Sequence, residues 1–84
     1  MDHTWYFSAV HKDTLIISLL SLIEDNSINS YLNDIRHLLK KTNTRNYRLY
    51  DIKQNKNEIV ITFYFEDKSD FENFYKDCLI YDTV

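Results

Sequence analysis

The clearest periodic pattern in the chain lies between residues 28 and 39, where apolar side chains recur every three or four positions. This spacing places them along one side of a helix. Ser27 precedes the run and is predicted to be the N-cap. Lys40 and Lys41 fall in the last turn, where cations complement the helix dipole. The apolar positions are Ile28, Tyr31, Leu32, Ile35, Leu38 and Leu39.

The preceding segment, Leu15 to Ile23, is almost continuously apolar. Its few polar residues form a narrow stripe, which is typical of a helix buried on most sides, so we predict a helix capped by Asp13 or Thr14. A strand is the competing interpretation, because short apolar runs fit both structures. Residues 13–41 then form one long helix or two, and a kink or break near Asp25 is favoured.

Three segments rich in aromatic and β-branched residues predict strands. The link between the second and third strands contains no glycine, so Asn55 or Asn57 is expected to take the left-handed conformation of a hairpin turn. Ser69 and Glu72 form a capping box for a last helix, and residues 79–84 fit a final edge strand. The strands span residues 4–10, 47–53 and 58–65, and the apolar side of the last helix consists of Phe71, Phe74, Tyr75 and Cys78.

The resulting order is strand, helix (broken), strand, strand, helix, with room for a last strand. It predicts a single α+β domain over residues 1–84, in which helices pack on one face of a small antiparallel sheet in the ferredoxin-like split βαβ order. Element order alone carries no function.

Strand alternation separates a face that packs against the helices from an open face. The predicted core face carries Trp5, Phe7, Ala9, Ile59, Ile61, Phe63 and Phe65. The predicted open face carries Tyr6, Ser8, Val10, Val60, Thr62 and Tyr64.

The amino-acid composition mainly excludes certain kinds of binding and catalytic site. The 84 residues include no glycine and no proline, which excludes glycine-rich phosphate loops, dinucleotide fingerprints and glycine-containing catalytic elbows. Abundant Asn, Lys, Ile and Tyr are typical of AT-rich coding, so we hypothesise a phage or mobile-element origin. Aromatic residues make up 15% of the chain, a surplus that favours a homodimer or a bound partner.

Charge is concentrated in the middle of the chain. Residues 36–56 hold seven bases and one acid, a net charge of +6, while residues 1–35 carry −4 and residues 57–84 carry −5. The basic segment is expected to protect a sheet edge and complement a helix end, or to bind a partner.

Candidate reactive groups are few. His3, His11 and His37 are scattered and Cys78 has no partner motif, so neither a metal site nor a cofactor is predicted, and Cys78 is expected to be a buried inert thiol. A single cysteine, and an N-terminal segment unlike a secretion signal, predict a cytoplasmic protein without a membrane segment.

These observations predict a non-catalytic protein-interaction module: a small regulator, inhibitor or adaptor that buries its aromatic sheet face and pairs residues 36–56 with an acidic surface. The alternative is a single-stranded nucleic-acid binder, although the third strand lacks the glycine and leading base of RNA-recognition modules. A third hypothesis is that the chain is a small enzyme whose catalytic acid and base come together only in the cleft of a dimer. The candidate binding residues are Tyr6, Tyr64, Tyr50, Arg45, Arg48 and Lys53.

Overall fold

The computed structural model describes residues 3–24, 27–78 and 80, and they form a small α+β domain with one four-stranded antiparallel sheet and two helices. In chain order the elements are β1 (Tyr6–His11), β2 (Ile16–Leu22), α1 (Ile28–Lys41), β3 (Tyr47–Gln54), β4 (Glu58–Phe65) and α2 (Lys68–Asp77). The sheet order is β1-β2-β4-β3, so β2 and β4 are the inner strands.

The helix predicted from Leu15 to Ile23 is wrong, because this segment forms β2. β2 carries core residues on one face and the aliphatic residues Ile16, Leu20 and Leu22 on the other, so its apolar run is nearly continuous, as in a buried helix. The two serines that resemble a helical stripe lie on opposite faces of β2. Ser21 is 1% exposed on the core side, and Ser18 lies on the other side beside Thr62.

The extra strand changes the connectivity, and the predicted ferredoxin-like order is not confirmed. β1 and β2 form an antiparallel pair, and so do β3 and β4. Since β2 and β3 each run antiparallel to β4, they are parallel to each other, and α1 connects them across one face of the sheet.

A single helix, α1, occupies residues 28–41, with Ser27 at the predicted N-cap position and with Lys40 and Lys41 in its last turn, but the Ser27 side chain makes no capping hydrogen bond. The predicted break near Asp25 lies outside the described residues. The helix ends in a Schellman motif, in which the amides of Asn43 and Thr44 donate to the carbonyls of Lys40 and Leu39. Asn43 has φ 56° and takes the left-handed position usually filled by glycine.

The turn between β3 and β4 does not contain the predicted left-handed asparagine. Among the described residues, positive φ values belong to Leu15 and Asn43, and neither Asn55 nor Asn57 is left-handed. Instead, Asn55 Oδ1 accepts hydrogen bonds from the amides of Asn57 and Glu58, at 2.8 and 2.9 Å. The asparagine side chain therefore replaces a backbone turn bond.

One hydrophobic core lies between the sheet and the two helices. Residues of β2, β4, α1 and α2 all contribute to it, which places both helices on the same face of the sheet. The α2 cap differs from the predicted capping box, because Asp67 is the N-cap and its side chain accepts from the Ser69 amide, at 2.8 Å. Core side chains with at most 2% exposure include Trp5, Ile17, Leu19, Tyr31, Ile35, Ile59, Ile61, Phe63, Phe65, Phe71 and Phe74.

Bulges in the two edge strands interrupt the expected alternation. In β1 the register shifts between Phe7 and Ala9, so Ala9 pairs with Ser18 and Val10 pairs with Ile17. Ala9 and Val10 therefore exchange their predicted faces, and Val10 packs against the core. A bulge inserts one unpaired residue and reverses the alternation beyond it, which the residue pattern of β1 does not reveal.

The segment before β1 is fixed to α1 by a buried carboxylate. Asp34 is 3% exposed, and its Oδ2 accepts from the His3 amide at 2.8 Å and from the Trp5 indole at 3.5 Å. The His3 ring stacks on Tyr31 with centroids 3.8 Å apart.

The sequence predicts a final edge strand over residues 79–84. Leu79 and residues 81–84 lie outside the described part of the chain. Ile80 is described, and it does not lie in a strand.

Candidate functional site

The side of the sheet that faces away from both helices, here called the open face, has an aliphatic centre. In β2, Ile16 and Leu20 are half-buried and Leu22 is 55% exposed. In β4, Val60 pairs with Leu20, and Tyr64 pairs with Ile16. Directly opposite residues share a face of the sheet, so these side chains form one surface.

A hydrogen bond between two hydroxyl groups lies at the middle of the open face. Ser18 Oγ and Thr62 Oγ1 are 2.8 Å apart on the paired inner strands. One hydroxyl donates to the other, so this pair requires less hydrogen bonding from water than two separate hydroxyls do, and the O–H of the accepting hydroxyl remains available to donate to a further acceptor.

The two tyrosines predicted on the open face are both there but are not brought together. Tyr6 pairs with Leu20 and Tyr64 pairs with Ile16, so they lie two strands and four residues apart. Strand spacing places their Cα atoms roughly 16 Å from each other. The surface between them is aliphatic, and a pair of stacking platforms for neighbouring bases is not formed.

The predicted cations of β3 lie along one side of the open face. Arg48 pairs with Tyr64, and Lys53 pairs with Val60, which places both basic residues beside the aliphatic centre. Arg48 Nε donates to Glu66 Oε1 at 2.6 Å in an exposed ion pair. Tyr50 occupies the β3 bulge and is 68% exposed.

Arg45 lies elsewhere, at a cavity of about 540 Å³ between the end of α1 and the start of β3. We call this cavity the basic groove. Tyr47 pairs with Phe65 and packs on Phe63, so it lies on the helix side of the sheet, opposite the neighbouring residue Arg48. The groove is lined by Arg36, Leu39, Lys40, Asn43, Thr44, Arg45 and Tyr47.

The sequence did not predict either the basic groove or the aliphatic centre as a binding site. The i, i+4 spacing of Arg36 and Lys40 indicates that they share a side of the helix, but nothing local shows that Arg45 returns to meet them. Likewise, Ile16 and Leu20 could not be placed on a sheet face while their segment was interpreted as a helix.

Cys78 follows α2 and is 7% exposed. Burial raises the pKa of its thiol to about 11, although the nearby charge of Lys41 lowers it somewhat. A thiol with this pKa carries almost no thiolate at neutral pH, so the environment is that of an unreactive core cysteine.

Comparison of the chain with protein-family models, curated proteins and solved structures finds no match. Within residues 3–24, 27–78 and 80, no three His, Cys, Asp or Glu side chains are grouped so that they could hold a metal ion. No helix in the same residues has the length and apolar character needed to cross a bilayer.

Proposed function

We propose that this chain is a non-catalytic protein-interaction module that binds a protein partner through the open face. The observation that carries the proposal is the aliphatic centre formed by Ile16, Leu20, Leu22 and Val60, on the side of the sheet that neither helix covers. Burial of apolar area is the main favourable contribution to protein association. An aliphatic surface supports this function better than nucleic-acid stacking, which needs aromatic platforms.

Charge indicates the chemistry of the partner. Arg48 and Lys53 flank the aliphatic centre along β3, with Asp51 opposite Thr62 between them, and Tyr64 adds a 41% exposed ring with a polar end. A complementary surface has an apolar centre, acidic groups opposite Arg48 and Lys53, and a basic or polar group opposite Asp51. Such rim charges chiefly increase the association rate and select the partner.

Photo-crosslinking from within the open face tests this proposal. A photoreactive amino acid is placed at Leu22, with Asn73 on the exposed side of α2 as the control position. We expect a second protein to be crosslinked from position 22 and not from position 73. Identification by mass spectrometry then permits purification of that protein and measurement of its affinity.

Substitutions separate the two contributions to binding. Leu22→Glu is expected to weaken the measured affinity by about tenfold, because it places a charge in apolar surface that the partner desolvates. Replacing both Arg48 and Lys53 with Glu should slow association and invert its salt dependence, while Lys56→Glu in the β3–β4 turn should not. If crosslinks join only copies of this chain, or if both positions capture the same proteins, the proposal is wrong.

A further inference from the structure

The basic groove combines three cations with a concave surface at the junction of α1 and β3. Arg36 and Lys40 are one helical turn apart and line the same cavity, and Arg45 approaches it from the connector between α1 and β3. None of the described residues that line the groove is acidic. The cavity therefore has a high positive charge density, which favours an anionic ligand.

Within the described part of the chain, none of these three cations forms an ion pair with a carboxylate. Arg36 donates to the neutral amide oxygen of Asn33, at 3.2 Å. The carboxylate of Asp70, which lies beside the connector, accepts instead from the backbone amides of Arg45 and Asn46. Asp70 thus holds the connector in place through backbone amides and, within the described residues, forms no ion pair with the Arg45 guanidinium.

The backbone that carries the groove is held by several specific bonds. Asn43 reverses the chain in the Schellman motif, and the Thr42 and Thr44 hydroxyls bond to each other at 2.9 Å. Thr42 Oγ1 also bonds to the Leu38 carbonyl, at 3.0 Å. A fixed backbone lowers the ordering cost of binding, although the exposed side chains of Arg36, Lys40 and Arg45 must still be ordered when a ligand binds.

We propose that the basic groove binds the phosphate group of a nucleotide. Arg36, Lys40 and Arg45 supply donors to the phosphate oxygens, and guanidinium groups match phosphate geometry in particular. The three positive charges are too many for a single carboxylate to neutralise, whereas a phosphate monoester carries close to two negative charges. The half-buried Tyr47 side chain also lines the groove and offers a ring against which a base can pack, while Leu39, at 1% exposure, belongs to the core beneath it. Pockets of this volume are typical of small-ligand sites.

This site is independent of the protein-binding proposal, because the groove lies on the helix side of the sheet. The nucleotide has two sources, a free nucleotide or the phosphorylated end of a single strand. In both cases three cations hold one phosphate group, and a base lies beside it.

Amide chemical shifts during titration with adenosine 5′-monophosphate test the inference. We expect shifts at residues 43–47 that saturate with the nucleotide and diminish as salt rises, and no comparable shifts with adenosine. Inorganic phosphate should bind more weakly at the same amides, because it lacks a base. A phosphorylated oligonucleotide that binds about tenfold more tightly than the mononucleotide identifies a single strand as the source, while equal affinity identifies a free nucleotide.

Matched charge variants give the control. Arg45→Gln and Lys40→Gln should each weaken mononucleotide binding by about tenfold, whereas Lys56→Gln makes the same charge change far from the groove and should leave the affinity unchanged. All three side chains are exposed, so folding should be retained, as circular dichroism will verify. The inference is overturned by unshifted amides at millimolar nucleotide, by equal sensitivity to Lys56→Gln, or by a glutamate-rich peptide that binds the groove more tightly than the nucleotide.

Discussion

Removal of the Asp34 carboxylate should substantially destabilise this domain. Asp34 is 3% exposed in α1, and its Oδ2 holds the His3 amide at 2.8 Å. A hydrogen bond to a charged acceptor contributes about 1.5–3 kcal/mol, and the 3.5 Å contact with the Trp5 indole is at the long limit and adds little. We therefore expect Asp34→Ala to lower the free energy of unfolding by about 2–3 kcal/mol, and Asp34→Asn, which retains an oxygen acceptor, by about 1 kcal/mol.

Urea denaturation followed by tryptophan fluorescence measures this effect directly. Trp5 is the only tryptophan in the chain and is 1% exposed, so its emission reports the docking of the N-terminal segment on α1. Local release of the segment would shift the emission to longer wavelength before the global transition recorded by circular dichroism. Asn33→Ala, at an adjacent exposed position of the same helix, should change stability by less than about 0.5 kcal/mol. An Asp34→Ala protein with the stability and emission of the wild type would refute the reasoning.

Two further predictions concern the backbone and the buried thiol. Asn43→Ala should cost about 1 kcal/mol because alanine tolerates φ 56° poorly, whereas Asn43→Gly should retain or increase stability, and thermal unfolding of the two variants compares them directly. Equal stability of the two variants would contradict the left-handed assignment. Cys78 should react with a thiol reagent at pH 8 only after unfolding, since burial holds its pKa at about 11. The unfolded thiol ionises first, near its ordinary pKa of 9.0, so the unfolding free energy of the wild type should fall relative to that of Cys78→Ala as the pH rises from 9.0 to about 11. If the difference in unfolding free energy between the wild type and Cys78→Ala stayed constant across that pH range, the raised pKa of Cys78 would be wrong.

The candidate site was predictable in part, because alternation in a regular strand needs no tertiary information. Val60, Thr62 and Tyr64 occupy the predicted open face of β4, where no bulge interrupts the pairing with β2. In the edge strands, the bulges at Ser8 and Tyr50 shift the register, so Ala9 and Val10 were assigned to the wrong faces. Residues with no distinctive local pattern create these bulges, which explains why the sequence gives no warning of them.

The sequence by itself determined the structure wherever a local pattern has one physical solution. The 3.6-residue periodicity of α1, the alternation of β4 and the clustering of basic residues in the middle of the chain all belong to this class. Tertiary structure decided the state of residues 16–22, because an apolar run becomes a strand only when neighbours on both sides complete its hydrogen bonds. It also decided how the basic residues divide between the open face and the basic groove. Arg45 and Arg48 are three positions apart, but Arg45 belongs to the connector before β3 and lines the groove, whereas strand alternation after Tyr47 places Arg48 on the open face.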